Sequence, residues 1–240
     1  MENELLAATR WTLVLAAARM DGAEPAMRAL TELCQTYWPP LYACIRSQGS
    51  DPHQAEDLTQ AFFARLLEKN YLADADPGKG KFRSFLHASL KHFLANERDR
   101  DRALKRGGGR PLIALDALSD EARDRMEPAD HDTPDKAFDR QWALTVLDLA
   151  LKRLRAEYTG TGRERLFEAL KPFLTGDAPA LSHAEIAAKC GLTEGAVKVA
   201  AHRLRRRYRE VLREEIAQTV TTAEEVEWEI RELFAAFQPG

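Results

Sequence analysis

Residues 181–209 read LSHAEIAAKCGLTEGAVKVAAHRLRRRYR. Ser182 and Glu185 have the spacing of a capping box, which predicts that a short helix begins here. Gly191 predicts a tight turn at the end of that helix, because glycine tolerates positive φ. Thr193 is a natural cap for a second, longer helix. The stretch therefore predicts a helix, a glycine turn and a second helix. Apolar residues at helical spacing along the rest of the sequence predict an all-α chain.

The second helix of this pair has two different faces. Val197, Ala201 and Leu204 recur at helical spacing on one side, whereas the other side is mostly basic. This order of a short helix, a turn and a longer helix with a basic face is typical of the DNA-binding helix-turn-helix. In that motif the first residues of the second helix reach base edges. An ordinary helical hairpin with a polar outer face is the alternative. The candidate DNA-binding residues here are Lys198, Val199, His202, Arg203, Arg206, Arg209 and Arg213.

Charge is segregated along the chain, although the formal net charge is only −3 over 240 residues. Residues 79–110 contain ten Lys or Arg against three Asp or Glu, and residues 198–213 contain seven against one. Residues 111–140 contain four basic against nine acidic side chains, and residues 216–240 contain one against five. This alternation predicts two surfaces that face nucleic acid and two acidic segments beside them.

The amino-acid composition changes over residues 107–138, which predicts a boundary between two helical domains. Three consecutive glycines, several prolines and an acidic balance predict a flexible linker. The predicted division is a first helical domain over 9–106, an acidic linker over 107–138, a helix-turn-helix domain over 139–217 and a C-terminal helical extension over 218–240.

In the first domain, the helix over 54–69 carries a second stripe beside its core face. Glu56, Gln60, Phe63 and Leu67 align on it, and Asp57 flanks it. Acidic residues above exposed Phe and Leu suggest a surface that binds a helix of another protein. Spacing leaves the alternative open, in which another helix of the same domain covers this stripe.

The helix over 82–106 has a selectively basic face opposite its core stripe. Such a face is typical of a helix that follows phosphates, and a solvated face with internal ion pairs is the alternative. The preceding loop, 70–81, is rich in glycine and aspartate and is a candidate recognition loop. The basic face contains His87, Lys91, Arg98, Arg102 and Lys105.

Other classes of protein have little support in the sequence. No Walker loop, G-x-S-x-G motif, metal-spaced His/Cys cluster or catalytic pair of carboxylates occurs, so we expect neither an enzyme nor a metal or cofactor site. No apolar run has the length of a membrane helix, and the N-terminus lacks the layout of a signal peptide. We therefore expect a cytoplasmic protein without membrane insertion.

Four stretches together resemble a known family. They are TYWPPLYACIR (36–46), AEDLTQAFFARLLEK (55–69), DPGKGKFRSFLHASLKHFLANERDR (76–100) and LSHAEIAAKCGLTEGAVKVAAHRLRRR (181–207). In this order and spacing the chain resembles an extracytoplasmic-function sigma factor of bacterial RNA polymerase. The resemblance covers roughly residues 10–106 and 140–214.

The resemblance implies a role for each surface. The stripe over Glu56–Leu67 would bind the clamp helices of core RNA polymerase. Residues 70–106 would melt and read the minus-ten element of promoter DNA, although His92 stands where the family often has Asn. Residues 193–213 would read the minus-thirty-five element. Three basic residues would join the DNA-binding set of the first domain: Lys79, Lys81 and Arg83.

Two questions stay open at the level of sequence. A helix-turn-helix regulator that acts without being a polymerase subunit is the alternative function. Control is the other question, because an anti-sigma protein, a regulatory kinase acting at Thr59, or the extension over 218–240 are all compatible with the sequence. The extension has an amphipathic pattern that includes Leu233 and Phe237, so we expect it to dock, and we expect its deletion to alter activity.

Overall fold

The computed structural model describes residues 24–69, 71–74, 81–104, 126, 132–175, 181–218, 220 and 222–238. Every regular element in these ranges is helical, which confirms the predicted all-α class. The first residues of the predicted first domain, 9–23, and most of the predicted linker lie outside the described residues. None of the described helices is long and apolar enough to cross a membrane.

The helices are numbered here in chain order. A single 3₁₀ turn, Tyr71–Asp74, follows the second of them. The α-helices are α1 (Glu24–Arg46), α2 (Pro52–Glu68), α3 (Phe82–Leu104), α4 (Pro134–Gly160), α5 (Glu164–Leu170), α6 (Pro172–Thr175), α7 (His183–Cys190), α8 (Glu194–Ala217) and α9 (Ala223–Ala235).

The chain divides into two compact units. The first contains Met1–Thr145 together with Ala217–Gly240, and the second contains Val146–Ile216. Helix α4 begins at Pro134, inside the segment that the sequence predicted as linker. Two local features explain this start. Proline suits the first position of a helix, and the Thr133 hydroxyl accepts a hydrogen bond from the Lys136 N–H at 3.3 Å.

The core of the first unit is built from α1, α2 and α3. Leu41 and Ile45 of α1 are fully buried, as are Ala55 of α2 and Leu90 of α3. The aromatic rings of Phe62 and Phe93 meet edge to face with centroids 5.7 Å apart, a favourable geometry for packed rings. The core faces of α2 and α3 are therefore buried, and two further apolar residues of these helices, Leu58 and Phe85, are half-buried.

The second unit has its own core. Leu154 of α4, Phe167 of α5, Ile186 of α7 and Leu204 of α8 pack in one cluster with exposures of 1% or less. The four residues come from four helices, so each helix is held by its apolar face. This core orients α8, whose opposite face carries the candidate DNA-binding residues.

Candidate nucleic-acid interface

The turn between α7 and α8 has the geometry that the sequence predicts. The Ser182 hydroxyl accepts from the Glu185 N–H at 3.3 Å, and the Glu185 carboxylate accepts from the Ser182 N–H at 2.7 Å. Gly191 ends α7 with φ of 66°. The Thr193 hydroxyl then accepts from the Ala196 N–H at 3.2 Å. The predicted capping box, glycine turn and second cap are confirmed, and they set the start and direction of α8.

Helix α8 buries one face and opens the other. Val197, Ala201 and Leu204 are at most 2% exposed. Tyr208 closes the same stripe: its hydroxyl donates to the Leu147 carbonyl at 3.3 Å, and burial raises the pKa of Tyr208 to about 12. The candidate DNA-binding side chains of α8 are all exposed: Lys198, Val199, His202, Arg203, Arg206, Arg209 and Arg213.

The arginines of α8 do not share one role. Arg207 turns away from the open face and contacts both carboxylate oxygens of Glu157 in α4, at 2.7 and 3.0 Å. It also lies 3.0 Å from Glu214. Its neighbour Arg206 is 78% exposed and pairs only locally with Glu210 at 3.0 Å. Arg207 thus joins α8 to α4, whereas Arg206 is exposed and available to a ligand.

We expect Arg207→Ala to lower the free energy of unfolding by about 1 kcal/mol at pH 7, with solvent screening included. Arg206→Ala should change it by less than about 0.5 kcal/mol. The Arg207 guanidinium lowers the pKa of Glu157. The pair therefore stabilises the fold above the usual pKa of a glutamate, and the contribution is lost as the pH falls through the lowered value. Urea denaturation at pH 7 and at about pH 3.5 checks this, because the difference between Arg207→Ala and wild type should shrink in acid. Equal losses for both variants would contradict the division of roles.

In the first unit, the basic start of α3 faces acidic residues. Lys81 Nζ lies 2.7 Å from Glu229 Oε1, and Arg83 Nε lies 2.8 Å from Glu229 Oε2. Arg83 also pairs with Asp139 of α4, and its guanidinium carbon lies 4.3 Å from the centroid of the Trp142 ring. Arg83 is therefore only 8% exposed.

One turn further along α3, the acidic contacts continue. Asp135 Oδ1 lies 2.8 Å from Lys91 Nζ and 3.3 Å from His87 Nε2. The His87 ring stacks on Phe138 with centroids 4.4 Å apart. Burial lowers the pKa of His87 and so favours the neutral form of its ring. Lys91 keeps half of its side-chain surface open, at 54%.

The prediction of an open basic face along α3 therefore needs a correction at its beginning. Arg83 is buried and His87 is mostly covered, because Glu229, Asp135 and Asp139 lie against them. Further along the helix, Arg98 is exposed and contacts Gln48. Among the other predicted residues, Lys79, Lys105 and the side chain of Arg102 lie outside the described residues.

The opposite side of α3 lines a cavity that the pattern of basic residues did not predict. Phe85, Ser89, His92 and Asn96 repeat at helical spacing along it, and the 3₁₀ residue Tyr71 faces it. The volume is about 200 Å³, and Phe62, Arg65, Leu66 and Phe93 complete the lining. An aromatic wall with amide and imidazole groups can stack a planar ring and donate or accept hydrogen bonds at its edge. The polar residues within an apolar stripe were the signal for this cavity.

The predicted polymerase-binding stripe on α2 is partly covered. For Phe63 the structure favours the alternative that spacing left open, in which another helix of the same domain covers the stripe: Phe63 is 7% exposed and stacks on Trp38 of α1 with centroids 5.9 Å apart. The first-unit core thus takes the aromatic ring that the stripe was expected to show. The rest of the stripe stays at the surface, with Asp57 exposed and three residues half-buried: Glu56, Gln60 and Leu67.

Comparison with known proteins agrees with this layout. A family model described as Sigma-70 region 2 matches residues 33–104, which span most of α1, all of α2 and α3, and the segment between them. The ECF RNA polymerase sigma factor SigE of Mycolicibacterium smegmatis (strain ATCC 700084 / mc(2)155) is 27% identical over 204 residues, which cover 84% of this chain and 68% of that protein. No solved structure matches the chain significantly. The match to sigma region 2 in the first unit, the helix-turn-helix in the second and the similarity to a sigma factor over most of the chain together support a promoter-directing RNA polymerase sigma factor of the extracytoplasmic-function type.

Proposed function

We propose that this sigma factor reads the minus-thirty-five element with residues 193–213 and the minus-ten element with residues 70–106, while the α2 stripe holds core RNA polymerase. The observation that carries the proposal is the open cationic face of α8. Its candidate residues are all exposed, and the buried stripe and the Arg207 contact hold the helix from behind. A preorganised basic helix of this kind fits the major groove.

Position along α8 divides the open residues into two groups. The first turns of a recognition helix enter the groove, so Lys198, His202 and Arg203 are assigned to base edges, with Val199 at 51% exposure available to a thymine methyl group. The last turns run beside the backbone, and their arginines are assigned to phosphates. The phosphate group comprises Arg206, Arg209 and Arg213.

We expect Arg203→Ala to change the base preferred at one position of the upstream element, with a loss of about 1–3 kcal/mol on the preferred site. Arg213→Ala should weaken binding to all sequences alike and reduce the salt slope by about one unit. Selection from a randomised upstream element, followed by binding measurements at several salt concentrations, separates the two effects. A change of base preference in Arg213→Ala but not in Arg203→Ala would reverse the assignment.

For the minus-ten element, the cavity beside α3 is assigned to an unstacked base. Tyr71 and Phe85 offer stacking surfaces, and His92 and Asn96 offer polar groups at the rim. Stacking of a base on an aromatic ring is worth about 1–3 kcal/mol, which offsets part of the energy needed to open a base pair. His92 and Asn96 would then set which base is accepted.

The remaining assignments follow the predicted division of the chain. Residues 9–106 form the melting and polymerase-binding domain, 107–138 the acidic connection, which ends in the first residues of α4, 139–217 the helix-turn-helix domain and 218–240 the extension. Asp57, Glu56, Gln60 and Leu67 supply the polymerase contact at the surface, with Phe63 supporting them from below. An anti-sigma protein or a regulatory kinase is a further partner for these surfaces.

The decisive experiment is transcription with purified core RNA polymerase. The full chain is mixed with core enzyme, the complex is isolated, and start sites are mapped on genomic DNA from the source of the chain. We expect defined starts that share two promoter elements and that disappear with core enzyme alone. DNA binding without co-purification of core enzyme would favour the regulator that acts outside polymerase. Asp57→Ala serves as a matched variant, which should lose core enzyme while keeping its affinity for upstream-element DNA.

A further inference from the structure

The C-terminal helix places a buried carboxylate on the basic start of α3. Glu229 of α9 is 1% exposed, and its two oxygens lie 2.7 Å from Lys81 Nζ and 2.8 Å from Arg83 Nε. The adjacent Trp228 ring lies under Lys81, with the ammonium 2.9 Å from its centroid. One short helix thus supplies both an anion and an aromatic face to two cations. Nucleic acid offers cations the same pair of groups, phosphate and stacked base.

Helix α4 extends this acidic cover along α3. Asp139 pairs with Arg83, and Asp135 contacts His87 and Lys91. Each residue predicted for DNA binding from Lys81, which precedes α3, to Lys91 within α3 therefore faces a carboxylate. Carboxylates and phosphates bind the same donor groups of lysine and arginine, so a phosphate competes with these carboxylates for the same side chains.

The attachment of α9 is weak for a purely structural element. Of its thirteen residues, only Glu229 and Leu233 are buried. Trp228 and Phe234 stay 40% and 58% exposed. A helix of this length is marginal on its own in water, so its position depends on one leucine, partly buried neighbours and the ion pair. A weakly held helix of this kind opens at a low free-energy cost, and the segments that move in proteins are usually of this kind.

We propose that α9 is an acidic lid that competes with nucleic acid for Lys81 and Arg83 in the free sigma factor. The lid is closed when Glu229 pairs with both cations, and phosphates of the minus-ten strand displace it. This inference rests on the proposed function of α3 as a nucleic-acid-binding helix. Its chemistry is ion exchange: two protein cations release one carboxylate and accept phosphates, with no covalent step.

The test uses the full chain and a labelled single-stranded DNA oligonucleotide of mixed sequence, with anisotropy measured over a range of salt. Glu229→Gln keeps the size of the side chain and removes its charge. We expect DNA binding about tenfold tighter, because the cations lose their internal partner. The salt slope should stay close to that of wild type, because phosphates contact Lys81 and Arg83 in both complexes once the lid is displaced. Glu224→Gln, at an exposed position of the same helix, is the matched control and should bind like wild type.

Two further variants separate this inference from the proposed function. Adding Lys81→Ala to Glu229→Gln should remove most of the gain, and a gain that persists would overturn the lid. Arg98→Ala, further along α3, reports on DNA binding by the helix itself. If it weakens binding while Glu229→Gln has no effect, the proposed function stands and the lid is wrong. If neither variant changes binding, both proposals fail for α3.

Tighter DNA binding by Glu229→Gln would also result if the substitution loosened the whole first unit. A measurement on the wild-type chain avoids this ambiguity. Hydrogen exchange is followed with and without saturating oligonucleotide. We expect exchange over 222–238 to become faster when DNA binds, while the buried core of α1 and α2 keeps its protection. Unchanged or slower exchange over 222–238 in the DNA complex would show that α9 stays closed and would overturn the proposal.

Discussion

Phe63→Ala should destabilise the first unit by about 3–5 kcal/mol, which is the usual effect of emptying a buried aromatic site. Phe63 is 7% exposed, stacks on Trp38 with centroids 5.9 Å apart and meets Phe62 edge to face at 5.8 Å. Removal of the ring leaves a cavity between α1 and α2 that these rigid neighbours cannot fill. Denaturation of the full chain, followed by circular dichroism, should show an early transition for the first unit.

A matched pair of variants on the same stripe separates packing from polymerase binding. Leu67→Ala, at a half-buried position, should cost about 1 kcal/mol, and the exposed Asp57→Ala should change stability by less than about 0.5 kcal/mol. Both should weaken the affinity for core RNA polymerase. A Phe63→Ala protein that melts like wild type but binds core enzyme poorly would instead place the ring in the interface.

Thr59→Glu should prevent the first unit from folding at room temperature. Thr59 is 0% exposed, and its hydroxyl donates to the Ala55 carbonyl at 2.6 Å, one turn back in α2. A carboxylate at this site would be buried without a cation, at a cost of several kcal/mol. That is comparable to the whole stability of a typical domain. The expected readout is loss of the cooperative transition of the first unit and poor recovery of soluble protein.

Thr59→Val is the control for this variant. It keeps the shape of the side chain and removes one hydrogen bond, so the expected loss is about 1 kcal/mol. The same geometry bears on regulation, because a kinase reaches this hydroxyl only after α2 opens locally. A Thr59→Glu protein with an unchanged melting transition would show that the site is accessible and would restore Thr59 as a candidate switch.

Local sequence determined the helix-turn-helix without help from the rest of the chain. The capping box at Ser182, the left-handed Gly191 and the cap at Thr193 involve neighbours within a few residues, so spacing and residue type were sufficient. The buried stripe of α8 followed for the same reason, because helical periodicity places Val197 and Leu204 on one side. An all-α class was predictable from the same local patterns in the other helices.

For the C-terminal helix α9, local sequence patterns predict the start of the helix but not the residue at the centre of its contact. Its start at Thr222 is a second capping box, again a local feature. Its apolar stripe was only partly correct, since Leu233 is buried while Phe237 stays 40% exposed. The residue at the centre of its contact is a glutamate, and hydrophobic periodicity cannot identify a buried charge. Only the meeting of α9 with Lys81 and Arg83 makes burial of Glu229 possible.

Which side chains remain open was decided by the tertiary structure. Arg206 and Arg207 are neighbours in sequence and equal in charge, yet Arg207 meets Glu157 from another helix and Arg206 meets solvent. The ring of Phe63 is likewise buried because it stacks on Trp38, which belongs to another helix. Sequence specifies the periodicity, caps and turns of each helix, because these depend on neighbours along the chain. Burial and ion pairing depend on which helices come together, and that is a property of the folded chain alone.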